Sequence, residues 1–371
     1  MDKKNIYIFT SKFPHSWWWV EKVSREVWYW LYDSWKFNVN FVFPWNENKT
    51  ENTDWINYIT IKNALKIPLL NEIFLNLKLI RIFKKLWKND IVINNNFSPF
   101  FYLLTHKKKF KLIHICHGTM YWSSLSVKNW WLIPLKRMLN IVYARWFDLF
   151  VRYVIKRADL VITLSRYLKS ELIDFYHINE DKIKIVYNWC DKNDKDILSH
   201  DRNLPLKVAF LWSNYGWKWL NILEWVAKEM HNENVHFYVV WIDSYKPQSA
   251  NIISLWRLKR EDVYKNMEES DIIFLPSHYE WQPLVILEWM SFWCIPVCSI
   301  HCHMDMLESS EFWKYISKNN SVDDYVKIFR SILHSSNIMD LRKLSQQVVS
   351  NYTWENQVKQ YVDLISKTVS L

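Results

Sequence analysis

Run after run of apolar, β-forming residues in this chain ends on an indole, at the point where a turn should begin. Trp212 follows Val208–Leu211, Trp241 follows His236–Val240, Trp256 follows Ile252–Leu255, and Trp189 follows Asn188. Trp17, Trp18 and Trp19 stand together after Phe13-Pro14, and Trp281 and Trp293 fall in turn positions. Such sites ordinarily use glycine, because a Cβ makes positive φ costly and a bulky side chain keeps the backbone from approaching a ligand. Glycine occurs only at Gly118 and Gly216, against 25 tryptophans. Together the two residue types make up about the share that glycine alone holds in an average protein, ~7%. The expectation is that UGA codons meaning glycine in the source have been read as tryptophan. Scarce alanine with abundant Lys, Asn and Ile fits the AT-rich gene in which UGA would be frequent. Trp354, which opens a helical run, is expected to be genuine, and Trp130, Trp131, Trp146 and Trp217 fit either reading. The alternative is an aromatic-rich binding protein, but stacking residues would then cluster on surfaces and not at strand ends.

With 371 residues, half of them apolar, the chain suits two domains and can bury a core in each. No uncharged apolar stretch reaches 18 residues, and Met1-Asp2-Lys3-Lys4-Asn5 lacks the apolar region of a signal peptide. A cytoplasmic protein is expected. A net charge of +10 calls for an anionic partner, which charge alone does not choose among nucleotide phosphates, anionic lipid and nucleic acid. The five cysteines, Cys116, Cys190, Cys294, Cys298 and Cys302, form no secreted-type framework. Three of them fall with His301 and His303 in one short run that has the ligand types of a soft-metal site. No second knuckle accompanies it, so a buried strand followed by a loop is the preferred reading and no metal is expected.

Short apolar runs alternate with helical periodicity along the whole chain, which is the pattern of parallel α/β sheets. The expected strands are Asn5–Thr10, Asn38–Pro44, Ile91–Asn94, Leu112–Cys116, Leu160–Leu164 and Ile183–Tyr187. After a polar stretch over Asp191–Leu204 come Val208–Leu211, His236–Val240, Ile252–Leu255, Ile272–Pro276 and Ile295–Ser299. Two Rossmann-like halves with a linker near residue 200 follow, and their facing strand ends would form a cleft. The intervening stretches 45–72 and 119–131 read as loops without a motif. From about Leu132 to Arg157, Arg137, Arg145, Arg152 and Lys156 recur on one helix face. This helix, 132–157, reads equally as a basic amphipathic surface for an anionic membrane and as a core-packed helix with a solvated side.

The densest signal runs over residues 276–297, where Glu280 and Glu288 stand eight apart across a strand-loop-helix junction. With glycine at Trp281, Trp289 and Trp293, this segment closely resembles the E-x7-E element of retaining GT-B glycosyltransferases, in particular family 4. Other segments resemble that family in the right order. They are the loop at Phe13–Glu21 with Trp17 and Trp18, His114–Gly118, Ala158–Ser165, Val186–Asp191, and Leu211–Leu220 with Trp212, Ser213, Lys218 and Trp219. The likeness spans essentially the whole chain.

The resemblance implies a GT-B fold, two facing Rossmann-like domains with parallel sheets around an interdomain cleft. Residues 1–195 would bind the acceptor, 203–350 the nucleotide sugar, and the helix 354–371 would cross back to the first domain. It implies transfer of a sugar, with retention, from a nucleotide donor (a UDP-sugar by preference) to a glycan or lipid-linked acceptor in cell-surface polysaccharide synthesis. No cofactor, metal or nucleic acid is implied, and the inner face of the cell membrane is a fitting location. Carried over residue by residue, Lys218 neutralises the donor diphosphate and Glu288, in the first helical turn, accepts ribose hydroxyls. Glu280 meets sugar hydroxyls near the reacting carbon. Amides near Leu284 and Val285 touch phosphate, as does the loop at Ser213, and His117 contacts the sugar or stabilises developing charge. Trp17, Trp18, Trp212, Trp219 and Trp281 are the indole positions where the donor loops need glycine. Many family members carry an arginine shortly after the position of Trp212, and this chain has Ser213-Asn214 instead, so Lys218 would act with backbone amides. Taken singly, His117 also fits a strand-end imidazole, Glu280 a loop acid, Glu288 a helix-start acid and Lys218 a solvated cation. Two other functions remain, a GT-B nucleotide-sugar epimerase and a non-catalytic binder of glycan or nucleic acid.

Overall fold

A computed structural model of the chain describes residues 4–9, 37–45, 47–53, 56–62, 68–94, 99–119, 134–193, 197, 204–211, 220–240, 245–256 and 258–370. The chain divides into two compact units, Met1–Val186 with Gln357–Leu371, and Tyr187–Asn356. The first unit holds strands β1 (Lys4–Phe9), β2 (Phe37–Trp45), β3 (Lys49–Thr53), β4 (Ile56–Lys62), β5 (Ile91–Asn94), β6 (Lys111–Cys116), β7 (Leu160–Thr163) and β8 (Ile183–Ile185). They form one sheet in the order β3-β4-β2-β1-β5-β6-β7-β8, parallel except for the β3–β4 pair. Helices α1 (Pro68–Phe83), α2 (Phe100–Thr105), α3 (Pro134–Arg157) and α4 (Arg166–Asp174) connect the strands. The four-residue strands β5 and β7 are buried throughout, which is why they read as unbroken apolar runs and not as alternation.

The second unit holds β9 (Leu206–Leu211), β10 (Val235–Val240), β11 (Ile252–Trp256), β12 (Ile272–Leu275), β13 (Ile295–Ser299) and β14 (Ile316–Ser317). Its helices are α5 (Leu220–Glu229), α6 (Arg260–Glu269), α7 (Leu284–Ser291), α8 (Val322–Leu333) and α9 (Ile338–Val349). A last helix, α10 (Trp354–Ser370), carries the chain from this unit into the residues grouped with the first. The sheet order is β11-β10-β9-β12-β13-β14, all parallel, so strand order reverses between β9 and β12. This is the doubly wound arrangement, in which ligands bind beyond the carboxyl ends of the strands at the reversal.

Side-chain spacing explains the packing of the second unit. Tyr325, Val326, Phe329 and Ile332 put one face of α8 against the sheet, and the Ser321 hydroxyl caps the helix by accepting from Asp324 N. The Phe274 ring of β12 meets the rings of Tyr325 and Phe329 edge-on, with centroids 4.8 and 5.2 Å apart. Truncating Phe274 to alanine should cost about 3–5 kcal/mol. At the amino ends of β9 and β12, away from the strand ends that matter for ligands, Arg342 and Asp271 form a 3.0 Å ion pair with both side chains buried. Asp271 also accepts from Lys207 N at 2.9 Å, which ties the two central strands together. Removing either partner would strand a buried charge, at a cost of about 3–5 kcal/mol.

The sequence-derived strands all form, and among the described residues three further strands appear. β3 is Lys-Thr-Glu-Asn-Thr, polar throughout, and is held at the sheet edge by its antiparallel pairing with β4 and by Thr60, whose Oγ1 accepts from Lys49 N at 2.8 Å. An edge strand of this kind carries no apolar pattern to read. The expected loop over 45–72 is therefore largely a hairpin, with α1 starting at Pro68. β14 has only two residues.

Two tryptophans stand in backbone states that favour glycine. Trp256, ending β11, has φ 57°, and Trp293, between α7 and β13, has φ 62°. At Trp293 the reason is a Schellman turn, in which Trp293 N donates to Met290 O and Cys294 N to Trp289 O, at 3.0 and 3.1 Å. The left-handed residue of that turn is most often glycine. A residue with a Cβ costs on the order of 1–2 kcal/mol there.

Candidate functional site

The segment from Ser277 to Ser291 follows β12, beside the strand-order reversal of the second unit. Ser277 is fully buried and its hydroxyl donates to Glu280 Oε1 at 3.1 Å, while Glu280 N donates to the carbonyl of His301 at 2.9 Å. Ser299, at the end of β13, donates to the carbonyl of Ser277. Glu280 is thus aimed from both its ends, by a hydroxyl on its carboxylate and a carbonyl on its amide. Pro283 has an extended ψ of 126° and stays outside the helix, so α7 begins only at Leu284. The sequence expectation that Glu288 lies in the first helical turn is corrected by this start: Glu288 stands four residues past Leu284, one full turn in. Leu284 and Val285 occupy the first turn, and no side chain caps it. Uncapped amides and the positive end of the helix dipole make that turn a ready anion site.

Imidazoles crowd the same loop without adding charge to it. Burial and the neighbouring His301 bring His278 down to about 4, and burial brings His303 down to about 3. At neutral pH both are uncharged hydrogen-bonding groups. Trp281 packs edge-on against the Tyr279 ring, at 5.6 Å, and its buried Nε1–H has no partner among the described residues. Trp289 is fully buried in α7 with its Nε1–H likewise unpaired. Each is a buried donor left unsatisfied, which costs on the order of 1–3 kcal/mol.

Gln282, which the sequence reading passed over, is the most constrained residue of the loop. It is 1% exposed, has φ 59°, and is bonded twice to Asn188. A positive φ at a glutamine has no sequence signature, and Asn188 was legible only as one half of an Asn-Gly-like turn.

In the first unit, His117 follows β6 directly. Burial lowers it to about 4, and neither ring nitrogen has exposed surface or a partner among the described residues. His114, inside β6, is held near 3 by burial and by His117, and its Nδ1 lies 3.3 Å from Asn94 Nδ2. Beside them Thr119 donates to the buried carboxylate of Glu171 at 3.0 Å. His117 is therefore neutral at pH 7 and retains both a donor and an acceptor.

Of the residues singled out in the sequence, Glu280, Trp281, Leu284, Val285 and Glu288 fall in this one loop and helix of the second unit, and His117 falls in the first. Trp17, Trp18, Trp212, Ser213, Lys218 and Trp219 lie outside the described residues. Cys294, Cys298 and Cys302 serve packing: Cys294 donates to Met267 O and Ser270 O, and Cys302 to Leu275 O. Burial raises the Cys298 thiol well above its ordinary range. Among the described residues no three His, Cys, Asp or Glu side chains gather as a metal-binding group. Helix α3 is both core-packed and exposed. Val151, Val154 and Ile155 are buried, whereas Val142, Arg145, Trp146, Leu149 and Lys156 face outward.

Comparison with known proteins gives two family matches, Glycosyltransferase Family 4 over residues 14–194 and Glycosyl transferases group 1 over residues 236–351. No curated protein matches the sequence. Among solved structures, the sucrose-phosphate synthase of Thermosynechococcus elongatus is similar at 11% identity and a TM-score of 0.73, over 99% of this chain and 100% of that one. The lipopolysaccharide outer core galactosyltransferase WaaB is similar at 16% identity and 0.68, over 98% and 99%. HepE of Anabaena, in complex with UDP and glucose, is similar at 12% identity and 0.63, over 98% and 100%.

Proposed function

We propose, for a chain that belongs to the GT-B glycosyltransferases, that it moves a hexosyl group with retention from a UDP-sugar to a glycan or lipid-linked acceptor in cell-surface polysaccharide synthesis. The observation that carries this reading is Glu280, whose carboxylate accepts from Ser277 and whose amide donates to the His301 carbonyl, one loop ahead of a helix whose first turn has no side-chain cap. Glu280 meets the hydroxyls of the transferred sugar, and Glu288 accepts from the ribose. Amides at Leu284 and Val285 receive phosphate, with Lys218 and the loop at Ser213 neutralising the diphosphate. The anomeric carbon–phosphate oxygen bond breaks and the acceptor oxygen bonds the same face of that carbon. The acceptor proton leaves with the departing diphosphate, whose charge is stabilised by fixed dipoles. His117 contacts the sugar through its ring nitrogens. A neighbour that holds UDP and glucose supports the choice of nucleotide.

The donor loops take this form with glycine at Trp17, Trp18, Trp212, Trp219 and Trp281. The left-handed backbone at Trp256 and Trp293 and the unpaired indole N–H groups of Trp281 and Trp289 support UGA recoding. An intact mass of the natural protein well below 45.6 kDa is expected, and a mass equal to it would end this part of the proposal. No described helix is long and apolar enough to cross a membrane. The outward face of α3, with Val142, Trp146 and Leu149 46, 53 and 58% exposed and Arg145 and Lys156 beside them, suits the inner surface of the cell membrane. Flotation with phosphatidylglycerol vesicles but not phosphatidylcholine vesicles, weakened by Trp146→Ala, is the expected result.

The deciding experiment incubates the full chain, with glycine at the recoded positions, with UDP-glucose or UDP-galactose and candidate acceptors. Acceptor-dependent UDP release and a product of unchanged anomeric configuration are expected. Inversion would overturn the retaining mechanism. Isomerised donor without acceptor would point to an epimerase. Glycan binding that survives Glu280→Ala and is lost when tryptophans are removed would point to a non-catalytic binder.

A further inference from the structure

We infer that Asn188 and Gln282 form a clamp that positions the backbone between Glu280 and Glu288, an inference resting on the donor-site reading above. Gln282 is the midpoint of the loop that joins Glu280 to α7, and it is held at φ 59° although it has a Cβ. A residue stays in that state when its surroundings over-determine it. Here the surroundings are reciprocal. Asn188 N donates to Gln282 Oε1 at 2.6 Å, and Asn188 Nδ2 donates to the Gln282 carbonyl at 2.7 Å. Gln282 Nε2 then donates to Met306 Sδ at 3.4 Å.

The pattern fixes both amides. Exchanging the oxygen and nitrogen of Asn188 would set its carbonyl against that of Gln282, two acceptors face to face. Exchanging those of Gln282 would set two donors together. Asn188 Oδ1 is buried without a partner among the described residues, so the side chain is kept for its donor and not for full satisfaction.

The same short segment goes on to grip the rest of the element. Burial, with a smaller contribution from the negative charge of Glu288, pushes the Cys190 thiol up to about 12. Asn193 Nδ2 donates to the carbonyl of Ser291, the last residue of α7, at 3.2 Å. Residues 188–193 therefore touch the loop before α7 and the end of α7. Glu288 lies between these two attachments, and Glu280 lies just before the first of them. Asn188 and Gln282 touch no reacting atom in this scheme; they are positioning residues, acting through Glu280 and Glu288.

The test uses the full chain and the variants Asn188→Ala, Asn188→Asp, Gln282→Gly and Asn188→Ala/Gln282→Gly. Asn188→Asp keeps the shape and loses the donor, and Gln282→Gly relieves the backbone and loses the acceptor. Amide hydrogen exchange over residues 277–288 is measured beside thermal melting, UDP binding by calorimetry, and UDP release from UDP-glucose and UDP-galactose. Each single variant should speed exchange in that segment and lower kcat about tenfold to a hundredfold, with a smaller loss of UDP affinity. The melting temperature should move little in Asn188→Ala and Gln282→Gly and fall in Asn188→Asp, which buries a carboxylate against the Gln282 carbonyl. The double variant should be no worse than the worse single. Unchanged exchange, additive losses, or a kcat loss matched by equal losses of melting temperature and UDP binding would overturn the clamp. If the parent chain neither binds UDP nor releases it while exchange still responds to Asn188→Asp, the clamp stands and the donor reading falls.

Discussion

The loop after β12 and the turn after β6 occupy similar places, each just beyond a parallel strand, yet they treat their polar groups in opposite ways. Around Glu280 the carboxylate, its amide, and the Gln282 and Asn188 groups next to it are engaged in named hydrogen bonds. At His117 two ring nitrogens are buried and unpaired among the described residues. A buried polar group without a partner costs on the order of 1–3 kcal/mol, so the two places do different physical work. The first is organised before any ligand arrives, as a site that must hold charge in a fixed position requires. The second holds hydrogen-bonding capacity in reserve.

Acid should bring both regions down, and it is the largest effect expected. His114, His117 and His303 are held at about 3, 4 and 3, below their ordinary 6.5, so the unfolded chain binds more protons between those values. Stability is therefore full above about pH 6.5 and falls as pH drops toward 3–4, by an amount on the order of several kcal/mol. A urea midpoint that stayed level from pH 7 to pH 4 would contradict the burial of these rings. Glu280→Ala comes next: turnover should fall about 10²–10³-fold while the melting temperature hardly moves. A variant with ordinary turnover would remove Glu280 from the reaction.

His117→Ala sharpens the contrast, since it should lower turnover about tenfold to a hundredfold without loss of stability, having no hydrogen bond to lose among the described residues. A drop in melting temperature as large as that of a core truncation would show the imidazole to be structural. The smallest effect belongs to Ser277→Ala, which takes one hydrogen bond from Glu280. It should reduce kcat/KM by about threefold to tenfold, equivalent to about 1 kcal/mol. If instead it matches Glu280→Ala, the hydroxyl has a direct role in the chemistry.

Much of this was legible in the residues themselves. The apolar runs that became β5, β7 and β12 are buried on both faces, and a buried parallel strand has few ways to be written other than as Ile, Val, Leu and Phe. The spacing of Glu280 and Glu288 was visible because the whole element is contiguous in sequence. The edge hairpin β3–β4 was missed, since backbone pairing holds β3 and its side chains are polar. Glu288 was placed one turn too early, because the extended ψ of Pro283 cannot be read from its identity. Lys218, Ser213 and the tryptophans near them lie outside the described residues, and their roles stand as proposed.

The sequence by itself determined the order of the apolar strands and the contiguous pair of glutamates, for periodicity and spacing are local properties. It also marked its indoles as out of place, and two of them do stand at positive φ, where a Cβ is a burden. Only the tertiary structure decided which backbone is strained and what holds it: Asn188 and Gln282 are 94 positions apart and meet through the fold. It also decided that His117 and His303 are neutral, because burial depends on what packs around a ring and not on which residues adjoin it in the chain.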